Sequence, residues 1–498
     1  MALPPSRPLL WHPAVETICA LIPAGEEVYL VGGAVRDAWL QRPLRDIDLA
    51  TPDDGRPLAR RIANALHGAY YSLDPERGVG RALIPWKGAQ LVVDVAQFRG
   101  PDLLTDLQKR DFTLNAMAVR VAGDLQTVID PLGGQHDLAQ KRLRQCSPTS
   151  IADDPVRALR AVRASLTFGL TIEPATRESI RQAGPRLGTA STERVRDEFF
   201  NLLDARHPAG ALRALKQLGL LAQIISQTEA MQHVAQSPPH EFDLWNHTLA
   251  VIEHLDVILE IISPTRSPDL TTNIQLGLAA FALDPLRPAL QEHLAHEWAN
   301  GRSHHALLML AALLHDSGKP AVRAIRQGRI RFWGHDQVGA EIAETVAQTL
   351  RLSNDELARL VAIVRHHMRP LLLHNGPTIS ARAIYRFWRD TGPAGVDVCL
   401  LSLADQLGTY GPRLDHTEWQ AYLDSVRALL DSYYFRRETA VAPPALLTGQ
   451  DLIQHFDLVP GPQIGSLLER LREAQVMGKI TTQKEALDWV QRVLGKIS

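Results

Sequence analysis

The sequence predicts an α+β chain: an α/β head with a mixed sheet, then an all-α neck and an all-α body. Three observations carry this. Runs of alternating or β-branched residues, VYLV at 28–31, RDIDLAT at 45–51 and LVVDVAQF at 91–98, are confined to the first third. From Ile151 onward apolar residues recur at helical spacing, first Val156, Leu159, Val162 and Leu166, then Leu202, Leu203, Leu212, Leu215 and Leu218. A chain of 498 residues also exceeds one hydrophobic core, so three or four domains are expected. The onset of helical periodicity near Ile151, with breaks at Ser237-Pro238-Pro239 and Val441-Ala442-Pro443-Pro444, divides it into 24–148, 149–236, 237–440 and 441–498. Ser263 to Leu270, with two prolines, reads as a loop inside the third segment.

The first strand, Val28 to Val31, leads into Gly32-Gly33 and a short helix over Ala34 to Leu40. Next comes the strand of Asp46-Ile47-Asp48-Leu49. Side chains alternate along a strand, so Asp46 and Asp48 share one face and Ile47 points to the core. Paired carboxylates at a strand end suit Mg²⁺, which takes one or two carboxylates together with substrate phosphates. Gly32 and Gly33 let backbone N–H groups approach a triphosphate closely. A Gly-Gly turn alone is common, and Asp-x-Asp alone is often a solvated strand edge. Both within one β-α-β unit, with Arg36 and Asp37 between them, point to nucleotidyl transfer.

On these residues the chain resembles the head of the tRNA nucleotidyltransferase and bacterial poly(A) polymerase family, in its eubacterial class. The resemblance continues in order. Asp94 lies where the superfamily's third catalytic carboxylate is expected. Lys109-Arg110-Asp111-Phe112-Thr113-Leu114-Asn115-Ala116 is similar to RRDFTxNA, which implies ribose and phosphate contacts for Arg110, Asp111 and Asn115. Asp130 to Leu138 is similar to the DPxxGxxDL turn that closes the head. Asp153-Asp154-Pro155-Val156-Arg157-Ala158-Leu159-Arg160 is similar to EDxxRxxR, with Asp153 where the family has Glu. The resemblance implies that Asp154 and Arg157 read the edge of the incoming base, and that Arg160 and Arg163 complete the nucleotide site. Such reading is chemically sound, since a carboxylate accepts from the exocyclic amine of C or A while Arg donates to ring acceptors. The plainer account, a capped helix start with Arg157 as an i,i+3 partner, is compatible with it. Only ten residues separate Arg99 from Arg110, where many CCA-adding members carry a longer segment linked to the switch from C to A. Addition of C, of A, or of both stays open.

Net charge is −2, but between Lys141 and Lys216 there are 14 Lys and Arg against 8 Asp and Glu. Arg142, Arg144, Arg160, Arg163, Arg177, Arg181, Arg194 and Arg196 are candidate RNA phosphate contacts, directly after the nucleotide motifs. Glu178, Glu193, Asp197 and Glu198 interleave with them and allow a salt-bridged surface as the alternative.

The third segment carries other chemistry. His247, His315-Asp316 in HDSGKP, His335, His366-His367 and Asp405 occur in an order that resembles the HD-domain metal-dependent phosphohydrolases. Imidazoles and carboxylates suit a divalent transition metal, which lowers the pKa of bound water and supplies hydroxide for phosphoester cleavage. His247, His315, Asp316 and Asp405 form the expected ligand set. His366 and His367 cannot both serve, because neighbours on a helix diverge by ~100°. His240, His254, His304 and His305 are read as surface or packing residues. The C-terminal segment resembles the tail of many HD-bearing members, and Gly461-Pro462 with Gly465 reads as a turn into a helix.

Composition sets limits. Hydrophobic residues make up 45%, with no apolar run near ~20 residues, so no membrane span is expected. The start MALPPSRPLLWHP lacks the apolar core of a secretory signal. Cys19, Cys146 and Cys399 form no CxxC pair or disulfide framework, which fits the cytoplasm. The resulting expectation is a template-independent nucleotidyltransferase that adds C and/or A from CTP and ATP to the tRNA 3′ end. It would use Mg²⁺ and carry an accessory phosphohydrolase with a second divalent metal. The alternatives are a poly(A) polymerase, or a phosphohydrolase whose head only recognises RNA.

Overall fold

The computed structural model describes residues 7–23, 25–44, 46–265, 273–376 and 379–495. Arg45, and the predicted Ser263–Leu270 loop from position 266 onward, lie outside the described residues. The chain divides into two compact units. One runs to Glu198 and takes in Ala214–Ile224; the other comprises Phe199–Arg213 and the chain from Ile225 onward.

In the first unit, β1 (Tyr29–Val31), α1 (Gly33–Trp39), β2 (Asp46–Thr51) and α2 (Gly55–Ala65) follow in sequence. Then come β3 (Ala69–Asp74), β4 (Val79–Trp86), β5 (Ala89–Gln97), α3 (Leu103–Gln108), β6 (Ala118–Arg120) and β7 (Val128–Ile129). The strands form one mixed sheet in the order β3-β4-β5-β2-β1-β6-β7. Only β2 and β5 run parallel, with Asp48 level with Asp94. Ile47, Leu49, Val93 and Val95 are buried in the sheet. Over β4 and β5 packs α2, whose Leu58, Ala59, Ile62 and Ala63 form one buried stripe. Its start is fixed by Asp54, whose side chain accepts from the Arg56 N–H. Beyond the sheet, α4 (Ser150–Asp153) and α5 (Arg157–Phe168) continue the chain helically.

The second unit is built on α6 (Leu244–Ile262), α7 (His304–Leu314) and α8 (Lys319–Val322). After them come β8 (Ala324–Arg326), β9 (Arg329–Arg331), α9 (His335–Thr349), α10 (Asn354–His366) and α11 (Ala394–Tyr410). Residues Ala306 to Leu314 of α7 are buried on every side, as expected of an apolar helix without a polar face. Ser303 caps its start, and its far end delivers His315 and Asp316 into the interior. The tail forms helices Gly449–Phe456, Pro462–Val476 and Gln483–Leu494 around Leu452, Leu467, Leu471 and Val490, with the predicted turn at Gly461-Pro462. No helix of the described residues is long and apolar enough to cross a membrane.

The helical expectation for the body fails at one place. β8 and β9 form an antiparallel hairpin closed by Gln327 (φ 52°) and Gly328 (φ 73°), the two left-handed residues a tight hairpin turn requires. A two-residue parallel pair, Arg142–Leu143 with Thr171–Ile172, also lies outside the predicted strands. The hairpin alternates, but its alternating polar residues are arginines around only two isoleucines, so it lacks the apolar weight of the head strands.

His305 links three segments of this unit. Its Nδ1 lies 3.2 Å from Asp204, and its Nε2 lies 3.2 Å from Asp256. Burial opposes its charge, but the two carboxylates outweigh burial and push its pKa up to about 9. A folded pKa above the ordinary ~6.5 means the stabilisation is complete below that pH and is lost as pH rises through about 9. His305→Gln should therefore flatten the decline in thermal stability between those limits. Identical pH profiles of Tm for variant and wild type would refute it.

Two candidate catalytic centres

In the first unit, the parallel pairing of β2 with β5 sets Asp48 beside Asp94, with Asp46 one alternation away. Asp46 is exposed and Ile47 fully buried, as the strand period requires. Burial raises the Asp48 pKa; Arg110 and Arg36 oppose that, while Asp94 and Asp46 add to it. Crowded carboxylates that resist ionisation are a donor set a divalent cation would relieve. Both Asp94 oxygens accept from Arg81, at 2.8 Å each. Gly32 sits at φ +68°, and a Cβ there would lie 2.9 Å from Arg110 Nη1 and 3.1 Å from Asp48 Oδ2. The glycine thus keeps open the space between a carboxylate and a guanidinium.

Four of the remaining predicted residues, Arg36, Asn115, Asp111 and Arg160, form one network. Arg36 donates to Asn115 at 2.7 Å and to both oxygens of Asp37, and lies over the Phe168 ring. Asn115 donates to Asp111 at 3.0 Å, and Arg160 lies 2.9 Å from the other Asp111 oxygen. Burial works against the Asp111 charge, but Arg160 and its hydrogen bonds prevail and hold its pKa below the usual range. Arg110 is anchored by Asp106, one helical turn earlier.

Arg157 donates to the carbonyls of Lys109, Arg110 and Ser150 and to the Ser150 hydroxyl. Asp154 accepts from Arg194 at 2.6 Å, with Arg157 3.9 Å away. Arg163 is held by two hydrogen bonds to Glu198. The segment from Arg99 to Arg110 is pinned at both ends. Arg99 donates to the Lys109 carbonyl, Lys109 to the Arg99 carbonyl, and Asp102 caps α3. Sequence reasoning missed Arg81, Asp106 and the pairing of Arg194, expected to meet RNA phosphate, with Asp154. Of these only Asp106 had a local signal, its i,i+4 spacing from Arg110.

In the second unit the four predicted ligands converge. His247 Nε2 lies 3.1 Å from Asp405 and 3.5 Å from Asp316, and His315 Nε2 lies 3.2 Å from Asp316. Neither Nε2 makes a hydrogen bond, although both are buried. Beyond the predicted set, His335 and His367 approach the other Asp316 oxygen at 3.3 and 3.8 Å. Asp316 therefore belongs to two groups able to hold a metal, His247–His315–Asp316 and Asp316–His335–His367. Of the two adjacent histidines it is His367 that points inward.

The tautomers fit metal binding. Nδ1 of His315, His335 and His367 each lies 2.7 Å from the carbonyl three residues earlier. Donation there leaves every Nε2 as a lone pair facing Asp316. The Nε2 atoms of His335 and His367 lie 3.2 Å apart, two lone pairs that repel unless a cation intervenes. Burial disfavours charge on His247, yet Asp316 and Asp405 push its pKa to about 9, whereas burial and His315 depress His367 to about 4. Lys319 Nζ lies 2.6 Å from Asp316, and Lys319 with His315 holds that carboxyl well below its usual range against burial. A Cβ on Gly318 would lie 2.2 Å from the His335 carbonyl, so this glycine lets the HDSGKP turn close on the start of α9. His304, read as a surface or packing residue, is buried and bonds Asp397 together with His293. That trio resembles a metal set, but Arg359 already neutralises Asp397.

Comparison with known proteins places both centres in familiar sequence contexts. The Poly A polymerase head domain matches residues 28–144, and the probable RNA and SrmB-binding site of polymerase A matches 169–232. The HD domain matches 289–409, and the putative tRNA nucleotidyltransferase domain 2 matches 443–490. The HD match begins after His247, which only the fold brings in. An A-adding tRNA nucleotidyltransferase of Deinococcus radiodurans is 34% identical, over 93% of this chain and 94% of its own. A CC-adding tRNA nucleotidyltransferase of Geobacter sulfurreducens is 30% identical, over 95% of this chain and 92% of its own. Among solved structures, a CCA-adding enzyme in complex with CTP superposes with TM-score 0.61 at 20% identity, covering 97% of this chain and 96% of that one.

Proposed function

Because the chain belongs to the tRNA nucleotidyltransferase family, we propose that it extends the 3′ end of tRNA with C and/or A, taking CTP and ATP without a template. The observation that carries this is the set Asp46, Asp48 and Asp94 beside Gly32-Gly33, with Arg36, Asn115, Asp111 and Arg160 joined in one network. These carboxylates would hold Mg²⁺, and a bound divalent cation neutralises charge at the α-phosphate and activates the attacking 3′-hydroxyl. The chain's own residues do the rest. The open backbone at Gly32-Gly33 admits the triphosphate, Arg36 and Arg110 offset its charge, and Asp111 and Asn115 meet the ribose.

Asp154 and Arg157, with Arg160 and Arg163 behind them, select the base. The carbonyl contacts of Arg157 support this by fixing the turn that presents Asp154. The basic run that follows would meet tRNA phosphates. Labour follows four segments: head 24–148, helical neck 149–236, phosphohydrolase 237–440 and tail 441–498. The second centre, His247, His315, Asp316 and Asp405 with His335 and His367, would hold divalent metal and hydrolyse phosphoesters. Extension of tRNA fits a cytoplasmic location.

Two observations bear on which nucleotide is added. The A-adding relative is the more identical, whereas the short pinned segment between Arg99 and Arg110 favours C. Incubating the protein with tRNA ending at the discriminator base, at C or at CC, with each NTP separately, decides it. At least one of CTP and ATP should be incorporated, with GTP and UTP rejected. Arg157→Ala should lower discrimination against GTP and UTP ~10–100-fold, as ~1–3 kcal/mol per bidentate base contact implies. An equal loss with all four nucleotides would make Arg157 a support of the turn only.

A further inference from the structure

The hairpin β8–β9 is not used by either centre as described above, yet both of its ends are rooted in the second. It leaves α8, whose Lys319 bonds Asp316, and β9 returns through Phe332, Trp333 and Gly334 to His335. His335 is fixed by the Phe332 carbonyl, through its backbone N–H at 3.2 Å and its Nδ1 at 2.7 Å. The hairpin base is tied down by the Ile330 N–H, which donates to Ser237 Oγ at 2.8 Å. It is therefore a finger whose two ends are anchored to residues of the metal centre.

Its chemistry is one-sided. Register pairs Arg326 with Arg329 and Ala324 with Arg331, so three arginines share one face, while Ile325 pairs with Ile330 on the other. All three arginines are exposed. Trp333, two residues before His335, is 70% exposed, and the Arg326 guanidinium lies 5.7 Å from its ring centroid. An indole left in water costs free energy, and three arginines on one face, without an ion pair among the described residues, repel one another. A partner that is anionic and offers flat rings satisfies both. Single-stranded RNA does this, with phosphates on the arginines and a base on the indole.

Resting on the reading of the second centre as a phosphohydrolase, we infer that Arg326, Arg329, Arg331 and Trp333 form a platform for single-stranded RNA that presents a terminal phosphoester to that centre. The substrate class is a phosphorylated RNA 3′ end rather than a free nucleotide. The platform acts by binding, and the residues around Asp316 do the chemistry.

The test uses the full chain, loaded with divalent metal, and two substrates carrying the same 2′,3′-cyclic phosphate: a mononucleotide and a single-stranded RNA of about eight residues. Wild type should hydrolyse the RNA with the higher kcat/KM. In R326A/R329A/R331A and in W333A, kcat/KM for the RNA should fall ~10-fold or more, while that for the mononucleotide stays within twofold. Equal losses on both substrates would make the hairpin a support for His335, and unchanged rates on both would leave it without a role here; either overturns the proposal.

If wild type hydrolyses neither substrate, the phosphohydrolase reading fails by itself, and photo-crosslinking then tests the platform. RNA carrying 4-thiouridine should crosslink to the peptide holding Trp333, and this should vanish in W333A, which removes the ring, but not in W333F, which keeps one. Crosslinks confined to residues before 237 would overturn it. So would a W333A variant that changes oligomeric state in sedimentation while its RNA crosslinks or hydrolysis persist, because the finger would then be a contact between copies of this chain.

Discussion

Asp48→Ala should abolish nucleotide addition, by ~10³-fold or more in single-turnover rate with either CTP or ATP, while tRNA affinity changes by no more than a few fold. The loss corresponds to at least ~4 kcal/mol of transition-state stabilisation, within reach of removing a metal-holding carboxylate. Affinity survives because most binding energy for RNA comes from phosphate contacts, and the basic run lies after the carboxylates. Asp48→Asn separates catalysis from folding. Burial raises the Asp48 pKa in the folded protein. A carboxyl that binds its proton more tightly folded than unfolded loses stability as pH rises through its folded pKa. At neutral pH the asparagine variant, without metal, should therefore melt no lower than wild type, yet be inactive. Normal turnover in either variant would remove the assignment of this centre. A collapse of Tm in Asp48→Asn would make the residue structural.

What the sequence disclosed about that centre is what is local. Period-2 alternation put Asp46 and Asp48 on one face and Ile47 in the core, and Ile47 is fully buried. The Gly-Gly turn, the short helix after it and the turn into Pro462 were equally local, because glycine admits the left-handed backbone at Gly32 and proline fixes φ at a helix start. Asp94 could be nominated only by resemblance, since its place beside Asp48 depends on a parallel pairing between strands some 45 residues apart. Arg81, which holds Asp94, sits opposite it in the antiparallel β4–β5 pair, and only that register, not any motif, joins the two. In the second unit the spacing of His315-Asp316 was legible, but the choice of His367 over His366 follows from the rotation of α10 against its neighbours. His335 stood in the family order yet outside the expected ligand set, because only the packing of α9 brings its Nε2 to Asp316. The hairpin was missed because charge masked its alternation.

The second large effect is expected at Asp316. Its Oδ2 lies 3.2 Å from His315 and 3.5 Å from His247, and its Oδ1 lies 3.3 Å from His335 and 3.8 Å from His367. One carboxylate thus separates four imidazoles, three of which turn an Nε2 lone pair towards it, and no other residue belongs to both metal groups of this centre. In the full-length protein, Asp316→Ala should bind no metal in this unit and lose phosphoester hydrolysis by ~10³-fold or more. His335→Ala should empty only the half it shares with His367. The aspartate variant should also be destabilised, by ~3–5 kcal/mol, because Lys319 is left buried without its partner. Asp316→Asn, which keeps the shape, is the companion that separates lost metal from lost fold. Extension of tRNA should persist in all three, since the synthetic carboxylates lie in the other unit. Metal content by mass spectrometry, hydrolysis of a 2′,3′-cyclic mononucleotide and nucleotide incorporation, measured on the same preparations, check each part. Hydrolysis that survives chelation, or that survives Asp316→Ala, would remove the phosphohydrolase from this protein. A loss of tRNA extension equal to the loss of hydrolysis would show instead that the two units act on one bound RNA and cannot be separated by mutation.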